Sequence, residues 1–127
     1  MKTVVLCGSK KFKPEMRDFA KRLRELGVDV FEPHLTNMDW PSLGDDVRPH
    51  IAAGLTYDHF QKIRMADVVY LYNKDGYAGV SVTLEIGYAA ALAKPIFALS
   101  DQDDEWCRRI LIHEVVTTPE ALVQKIH

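Results

Sequence analysis

Short apolar runs alternate with longer amphipathic segments along this chain. Five runs have the length and the β-branched content of strands and end at turn-forming residues. The predicted strands are residues 3–6, 28–31, 67–73, 95–99 and 115–116. Between and after them lie segments with helical spacing of apolar residues, and the predicted helices begin near residues 14, 47, 80, 104 and 119.

Strands that alternate with helices predict a parallel sheet covered on both faces, because right-handed crossovers place the helices over the sheet. The pattern shows no internal repeat, low-complexity segment or linker. We therefore predict one α/β domain over residues 1–127. Its expected architecture is a three-layer α/β/α fold of the Rossmann or flavodoxin type, with a five-stranded, largely parallel sheet.

Composition narrows the class of partner. The 127 residues are 47% hydrophobic, and 16 basic against 18 acidic residues give a net charge of -2. Such a balance supplies no electrostatic footprint for a nucleic acid polymer or an anionic membrane. No apolar run approaches the roughly 20 residues that span a bilayer, and the first residues do not resemble a signal peptide. We expect a cytoplasmic protein with a small-molecule partner.

The cysteines and histidines show no metal-binding pattern in the sequence. Cys7 falls in a predicted buried strand and Cys107 in a predicted helix, without metal-ligand spacing. Free cysteine behaves as a small hydrophobe, so we interpret both as reduced packing residues. The five histidines form no close pattern with them. We predict no metal and no cofactor.

A long segment between the second strand and the next helix is irregular. Residues 33–46 contain several glycines and prolines together with Trp40. Loops of this length in a small domain often carry function, although an ordinary surface excursion is an equal alternative. Trp40 either stacks on a bound ring or fills the core of its own loop.

The segment 75–88 places a lone carboxylate at a ligand-binding position. It follows the third predicted strand, and in open α/β sheets ligands collect where strand ends lead into helix N-termini. We expect Glu85 in the first turn of the helix, where the helix dipole favours the ionised form and suits a nucleophile. Complementing that dipole is the simpler alternative. Gly87, Ala90 and Ala91 are expected to let this helix approach the sheet closely.

Two blocks of sequence resemble a known family. Asp67-Val68-Val69, Gly79, Leu84-Glu85-Ile86-Gly87-Tyr88-Ala89 and Ala93-Lys94-Pro95 together resemble the signature of the nucleoside 2-deoxyribosyltransferase superfamily. Leu6-Cys7-Gly8-Ser9, followed by Lys10, is similar to the first loop of its 2'-deoxynucleoside 5'-phosphate N-hydrolase branch.

The resemblance implies a reaction and a substrate-binding set. Glu85 matches the glutamate that attacks the anomeric carbon of a deoxyribose and forms a covalent sugar ester. Water then gives hydrolysis of a nucleoside or nucleotide, and a second base gives transfer. A 5'-phosphate would be held by backbone N–H groups and a lysine, and the binding residues implied are Gly8, Ser9, Lys10, Gly79 and Ser81. Ser81 has a helix cap as its alternative role.

The chain departs from the family at several positions. His59 stands where the family has an aspartate, and it either replaces that group in hydrogen bonding or acid–base chemistry or is structural. The loop after the third strand is longer and adds Asp75 and Tyr77. Asp75 is a candidate for protonating the departing base, although Asp75-Gly76 is itself a turn signal. Tyr77 either stacks on the base or packs within the loop.

The resemblance also bears on self-association, and two alternative functions stay open. Members of this superfamily associate, so the resemblance implies a homodimer or a dimer of dimers. The candidate interface residues are Trp40, Tyr57, Phe60 and Trp106. A non-catalytic sensor that binds a nucleotide-derived ligand is the main alternative, since fold does not fix function. Hydrolysis of NAD, as in TIR-like domains, is a third possibility because it also uses a glutamate.

Overall fold

Strands and helices alternate through most of the chain. The computed structural model describes residues 2–35 and 37–126, and within them it has five β-strands and five α-helices. The strands are β1 Thr3–Gly8, β2 Asp29–Phe31, β3 Val68–Tyr72, β4 Ile96–Ala98 and β5 Glu114–Val115. The helices are α1 Lys13–Glu25, α2 Arg48–Met65, α3 Val80–Ala91, α4 Trp106–Arg109 and α5 Pro119–Lys125.

The five strands form one parallel sheet in the order β2-β1-β3-β4-β5. The predicted three-layer α/β architecture is therefore confirmed. The chain order reverses between β1 and β3, which pair from Val4 with Val68 to Gly8 with Tyr72. In doubly wound sheets, ligands bind in the crevice at the carboxyl ends of the strands at such a reversal. The loops after Gly8 and after Tyr72 are therefore the ones that form the crevice.

Alternate residues of the central strands face opposite helical layers. Val4 and Leu6 pack in the core against α1 and α5, while Val5 and Cys7 pack against α2 and α3. Cys7 is fully buried, as expected for a packing residue. The same expectation is wrong for Cys107, which is exposed in the short surface helix α4.

Helices α1 and α5 begin where the sequence indicates, whereas α4 begins at Trp106 after an N-cap at Glu105 rather than at the expected Asp103 or Asp104. Pro14 lies in the first turn of α1, where its missing N–H costs nothing, and Gly27 follows the helix with φ 87°. Thr118 caps α5 by accepting a hydrogen bond from the Ala121 N–H. Within the described residues, no helix has the length and apolar content to cross a membrane.

Candidate active site

A cavity of about 460 Å³ lies at the carboxyl ends of β1 and β3. Gly8 and Ser9 line one side, Gly79 and Ser81 line another, and His59 comes from α2. Size does not single this cavity out, because a neighbouring concavity of about 480 Å³ shares residues 33–35. The chemistry of its wall does distinguish this cavity, because His59 and Glu85 are two largely buried titratable groups that line it. Such groups in a cleft mark candidate functional sites.

The cavity gathers all but one of the residues predicted for the site. Those that line it are Gly8, Ser9, Lys10, His59, Tyr77, Gly79, Ser81 and Glu85. Asp75 does not line it. Asp75 is exposed with φ 57°, in a left-handed turn, and Gly76 follows with φ 79° where a Cβ would collide with the backbone of Gln102. This geometry favours the turn role of Asp75 over an acid–base role.

Glu85 lies deeper in α3 than expected. Val80 is the first residue of α3 and Glu85 the sixth, so the prediction of a first-turn position is wrong. Its side chain is only 15% exposed. Burial raises the pKa of Glu85 from 4.5 to about 7, although the nearby Cys7 thiol acts in the opposite direction. The expected stabilisation of the ionised form by the helix dipole therefore loses to desolvation, because the dipole effect fades beyond the first turn.

His59 faces Glu85 across the wall of the cavity. Its Nε2 lies 3.6 Å from Oε1 of Glu85 and 3.3 Å from Sγ of Cys7. Burial lowers the pKa of His59 to about 4, so at neutral pH the imidazole is neutral and the contact with Glu85 is not an ion pair.

The surroundings of the imidazole also select its tautomer. Nδ1 of His59 is buried and has no hydrogen-bond partner among the described residues. A proton there would be an unsatisfied buried donor, which costs more than an unpaired acceptor. We therefore assign the proton to Nε2, where it points toward Glu85 and Cys7.

Cys7 lies under these two side chains. The ligand atoms of Cys7, His59 and Glu85 are all within 4.8 Å of one another. The histidines show no close ligand pattern with the cysteines in the sequence, but in the structure His59 lies close to Cys7. Spacing did not reveal the pair because β1 and α2 bring together residues 52 positions apart. Burial, with the charge of Glu85 as a lesser cause, raises the pKa of the Cys7 thiol well above its usual range, so the thiol is protonated at neutral pH.

The N-terminus of α3 opens onto the cavity. Gly79 is the N-cap residue and no side chain caps the helix, so the alternative role of Ser81 as a cap is wrong. The first backbone N–H groups of a helix have no intrahelical partner and favour anions. Across the cavity, Lys10 follows Ser9, whose hydroxyl accepts a hydrogen bond from the Lys11 N–H at 3.3 Å.

Aromatic residues line the outer part of the cavity. Tyr77 is 43% exposed, and its ring lies 3.6 Å from Nζ of Lys11 and packs edge-on against Phe12. Trp40 is 41% exposed and comes from the long loop after β2. The irregular segment 33–46, for which a functional loop and an ordinary surface loop were equal alternatives, thus supplies part of the cavity wall.

Sequence reasoning missed the contribution of α2 to the cavity. Ala52, Leu55, Thr56 and His59 all line it and recur at helical spacing on one side of the helix. That spacing was visible in the sequence. It would have grouped His59 with three further cavity residues.

An ion pair and the hydrogen bonds of a threonine hydroxyl hold the start of α3 in place. Arg108 donates two hydrogen bonds to the buried carboxylate of Asp103, at 2.6 and 2.7 Å, and a third to Oγ1 of Thr83 at 3.3 Å. Thr83 in turn donates to the Gly79 carbonyl at 2.8 Å. The guanidinium of Arg108 holds the pKa of Asp103 below its usual value. We call Asp103, Arg108, Thr83 and Gly79 the α3 latch.

The outer side of α3 differs from the prediction. Gly87 is exposed, and a Cβ added there would meet nothing within 4 Å, so it does not let the helix approach the sheet. Ala91 is also exposed and Ala90 is half-buried, so the fully buried small residue of α3 is Ala89. Away from α3, Asp67 precedes β3 and accepts a hydrogen bond from the Thr3 N–H at 2.8 Å, which stabilises the start of the β1–β3 pair.

Comparison with known proteins identifies the family of the chain. The model of the family described as nucleoside 2-deoxyribosyltransferase matches residues 4–119. No curated protein matches the chain.

Several solved structures share the fold. A conserved protein from Enterococcus faecalis V583 is 17% identical with a TM-score of 0.62, covering 99% of this chain and 97% of its own. A CMP N-glycosidase from Clostridium botulinum is 19% identical with a TM-score of 0.57, covering 98% of each chain. A 2-deoxyribosyltransferase from Bacillus psychrosaccharolyticus is 18% identical with a TM-score of 0.60, covering 94% of this chain and 89% of its own.

Identities this low establish the shared fold alone. The family match, by contrast, covers most of the sequence and includes Glu85 and the Gly8-Ser9 loop. The chain belongs to the nucleoside 2-deoxyribosyltransferase family.

Proposed function

We propose that this protein cleaves the bond between base and deoxyribose in nucleosides or nucleotides, with Glu85 as the nucleophile. One observation carries the proposal: the Glu85 carboxyl lies largely buried on the wall of the cavity at the chain reversal of the sheet. A carboxylate in that position faces a bound ligand rather than bulk solvent. Family membership supports the reaction class.

The reaction has two steps. An oxygen of ionised Glu85 bonds to the anomeric carbon, while the electrons of the C–N bond leave with the base, which takes up a proton. The resulting sugar–glutamate ester is then opened by water, giving hydrolysis, or by a second base, giving transfer. Neutral His59, with its proton at Nε2, would donate toward the Glu85 carboxyl and orient it.

The walls of the cavity suit the parts of a nucleotide. The uncapped N-terminus of α3 and the Ser9-Lys10 loop offer N–H groups and a positive charge for a 5'-phosphate. Trp40 and Tyr77 offer aromatic faces for the base. The name of the CMP N-glycosidase neighbour supports a nucleotide substrate. Within this proposal the partner is a small molecule.

An apolar row on the outer surface supports self-association. Val80, Leu84 and Tyr88 follow one side of α3, and Tyr88 stacks on Phe60 of α2 at 4.4 Å between ring centroids. Tyr57 extends the row and is 71% exposed. We propose that a second copy of the chain covers this row, forming a homodimer or a dimer of dimers. Trp106 is also exposed, but it belongs to α4.

Chromatography of substrate mixtures tests the proposed function. Deoxynucleosides and their 5'-monophosphates are each incubated with the protein, with and without an added second base. Free base is expected from at least one substrate, and a new nucleoside or nucleotide appears if the sugar is transferred. Absence of base release from every substrate, with binding detected by calorimetry, would instead support the sensor alternative.

A further inference from the structure

The cluster of Cys7, His59 and Glu85 has the composition of a metal site. A thiol, an imidazole and a carboxyl are three of the ligand types that Zn²⁺ takes in proteins. Mg²⁺ and Ca²⁺ require six or more oxygen ligands, and this cluster offers one carboxyl group. Softer ligands of this kind select zinc over those hard cations.

The distances within the cluster are close to those around a tetrahedral zinc ion. With bonds of about 2.0–2.3 Å, two ligand atoms on zinc are separated by about 3.3–3.7 Å. Here Sγ of Cys7 lies 3.3 Å from Nε2 of His59, and Oε1 of Glu85 lies 3.6 Å from the same nitrogen. The cluster as a whole spans no more than 4.8 Å.

Burial and access also fit a site with three protein ligands. Cys7 is fully buried, and the side chains of His59 and Glu85 are 4% and 15% exposed. His59 and Glu85 line the cavity, so an ion would enter from there and keep its fourth position toward the cavity. Neighbouring strand β1 and helices α2 and α3 hold the three side chains before any ion arrives.

We propose that Cys7, His59 and Glu85 bind one Zn²⁺ per chain, with the fourth coordination position open to the cavity. Binding replaces the thiol proton of Cys7 by the metal, and the His59 proton moves from Nε2 to Nδ1 so that the Nε2 lone pair is free to bind the ion. The metal-free protein is the form that has the free Glu85 carboxylate. If the proposed function holds, Zn²⁺ therefore competes with substrate and stops base release. The binding itself does not depend on that function.

Spectroscopy of the metal-bound protein tests the site without any activity assay. Tag-free protein carrying Cys107→Ser, which removes the exposed thiol, is titrated with Co²⁺ as a probe and then with Zn²⁺. We expect one Co²⁺ per chain with a thiolate-to-cobalt charge-transfer band, which one equivalent of Zn²⁺ abolishes. Adding Cys7→Ser should remove the band and weaken Zn²⁺ binding by at least about 100-fold. Losing a residue that only supports a metal ligand already costs up to about 100-fold in affinity, and Cys7 is proposed as a ligand itself.

Two further variants keep the test decisive if Cys7→Ser fails to fold, as judged by circular dichroism. Glu85→Gln should keep the charge-transfer band and bind Zn²⁺ more weakly, and His59→Asn should weaken binding further. Absence of the band in the Cys107→Ser protein, or equal Zn²⁺ affinity in all variants, would overturn the proposal. Inhibition of base release by Zn²⁺, reversed by a chelator, is the separate readout for its effect on catalysis.

Discussion

Nε2 of His59 lies 3.6 Å from Oε1 of Glu85, with both side chains largely buried on the cavity wall. Burial shifts the two pKa values in opposite directions. It lowers the pKa of His59 to about 4 and raises the pKa of Glu85 to about 7. Each shift favours the neutral form, because desolvation penalises whichever form is charged. Near neutral pH the pair therefore consists of a neutral imidazole beside a carboxyl group that is about half ionised.

The rate of base release should rise with pH. Attack requires ionised Glu85, whose pKa is about 7, so kcat/KM of metal-free protein is expected to increase across pH 6 to 8 with its midpoint near that pKa. A pH series with a non-titrating substrate measures this. A profile that is flat over that range, or that falls, would contradict a nucleophilic role for the ionised carboxyl.

Removing the buried carboxyl should stabilise the fold. The folded-state pKa of Glu85 lies above the unfolded value of 4.5, so the folded state holds its proton longer and its stability decreases as pH rises from about 4.5 to 7. Glu85→Gln removes that penalty. It should raise the free energy of unfolding above pH 7 by up to roughly 3 kcal/mol, and by nothing at pH 4.

Urea titration at the two pH values measures the difference. Glu25→Gln, at an exposed glutamate in α1, is the matched control and should change stability at neither pH. Equal effects of the two substitutions at pH 8 would show that burial does not penalise the Glu85 carboxylate.

The α3 latch should contribute to folding stability in a pH-dependent way. Arg108→Met leaves the buried Asp103 carboxylate without its guanidinium and should cost about 3 kcal/mol of folding free energy. Because the pKa of Asp103 is lowered in the folded state, the stabilisation by the pair is present above the unfolded pKa of 3.8 and is lost progressively as pH falls below it through the folded pKa. Thermal unfolding at pH 7 and pH 3 should therefore show a larger difference between variant and wild type at pH 7 than at pH 3.

Self-association should depend on the apolar row of α2 and α3. Leu84 is 59% exposed, and Leu84→Glu places a charge in the proposed subunit contact. We expect light scattering at micromolar concentration to give a dimer or tetramer for wild type and a monomer for the variant. Ile110→Glu, at a comparably exposed apolar position outside the row, should leave the mass unchanged. A monomeric wild-type protein would overturn the proposed assembly.

The strands and helices could be predicted from sequence because they depend on local patterns. Each strand was an apolar run that ended at turn residues, whereas the strand order that brings the loops after β1 and β3 together is seen only in the structure. The family resemblance, rather than the pattern, predicted that the Gly8-Ser9 loop and Glu85 belong to one site.

Tertiary effects account for what the sequence did not reveal. The burial of Glu85 depends on β1 and α2 packing around it, so a local dipole argument gave the wrong direction for its pKa. The contact of Cys7 with His59 joins residues 52 positions apart, and no spacing rule covers such a pair. Asp75 had two plausible roles, and only the left-handed backbone favours the turn.

The decisive measurement is the rate of base release by Glu85→Gln, compared with wild type and with Glu25→Gln, on the best substrate found by chromatography. Gln keeps the size of the side chain and removes its charge. We expect the rate to fall on the order of a thousand-fold or more, with Glu25→Gln unchanged and substrate binding retained. Base release by Glu85→Gln within a few-fold of wild type would show that Glu85 is not the nucleophile.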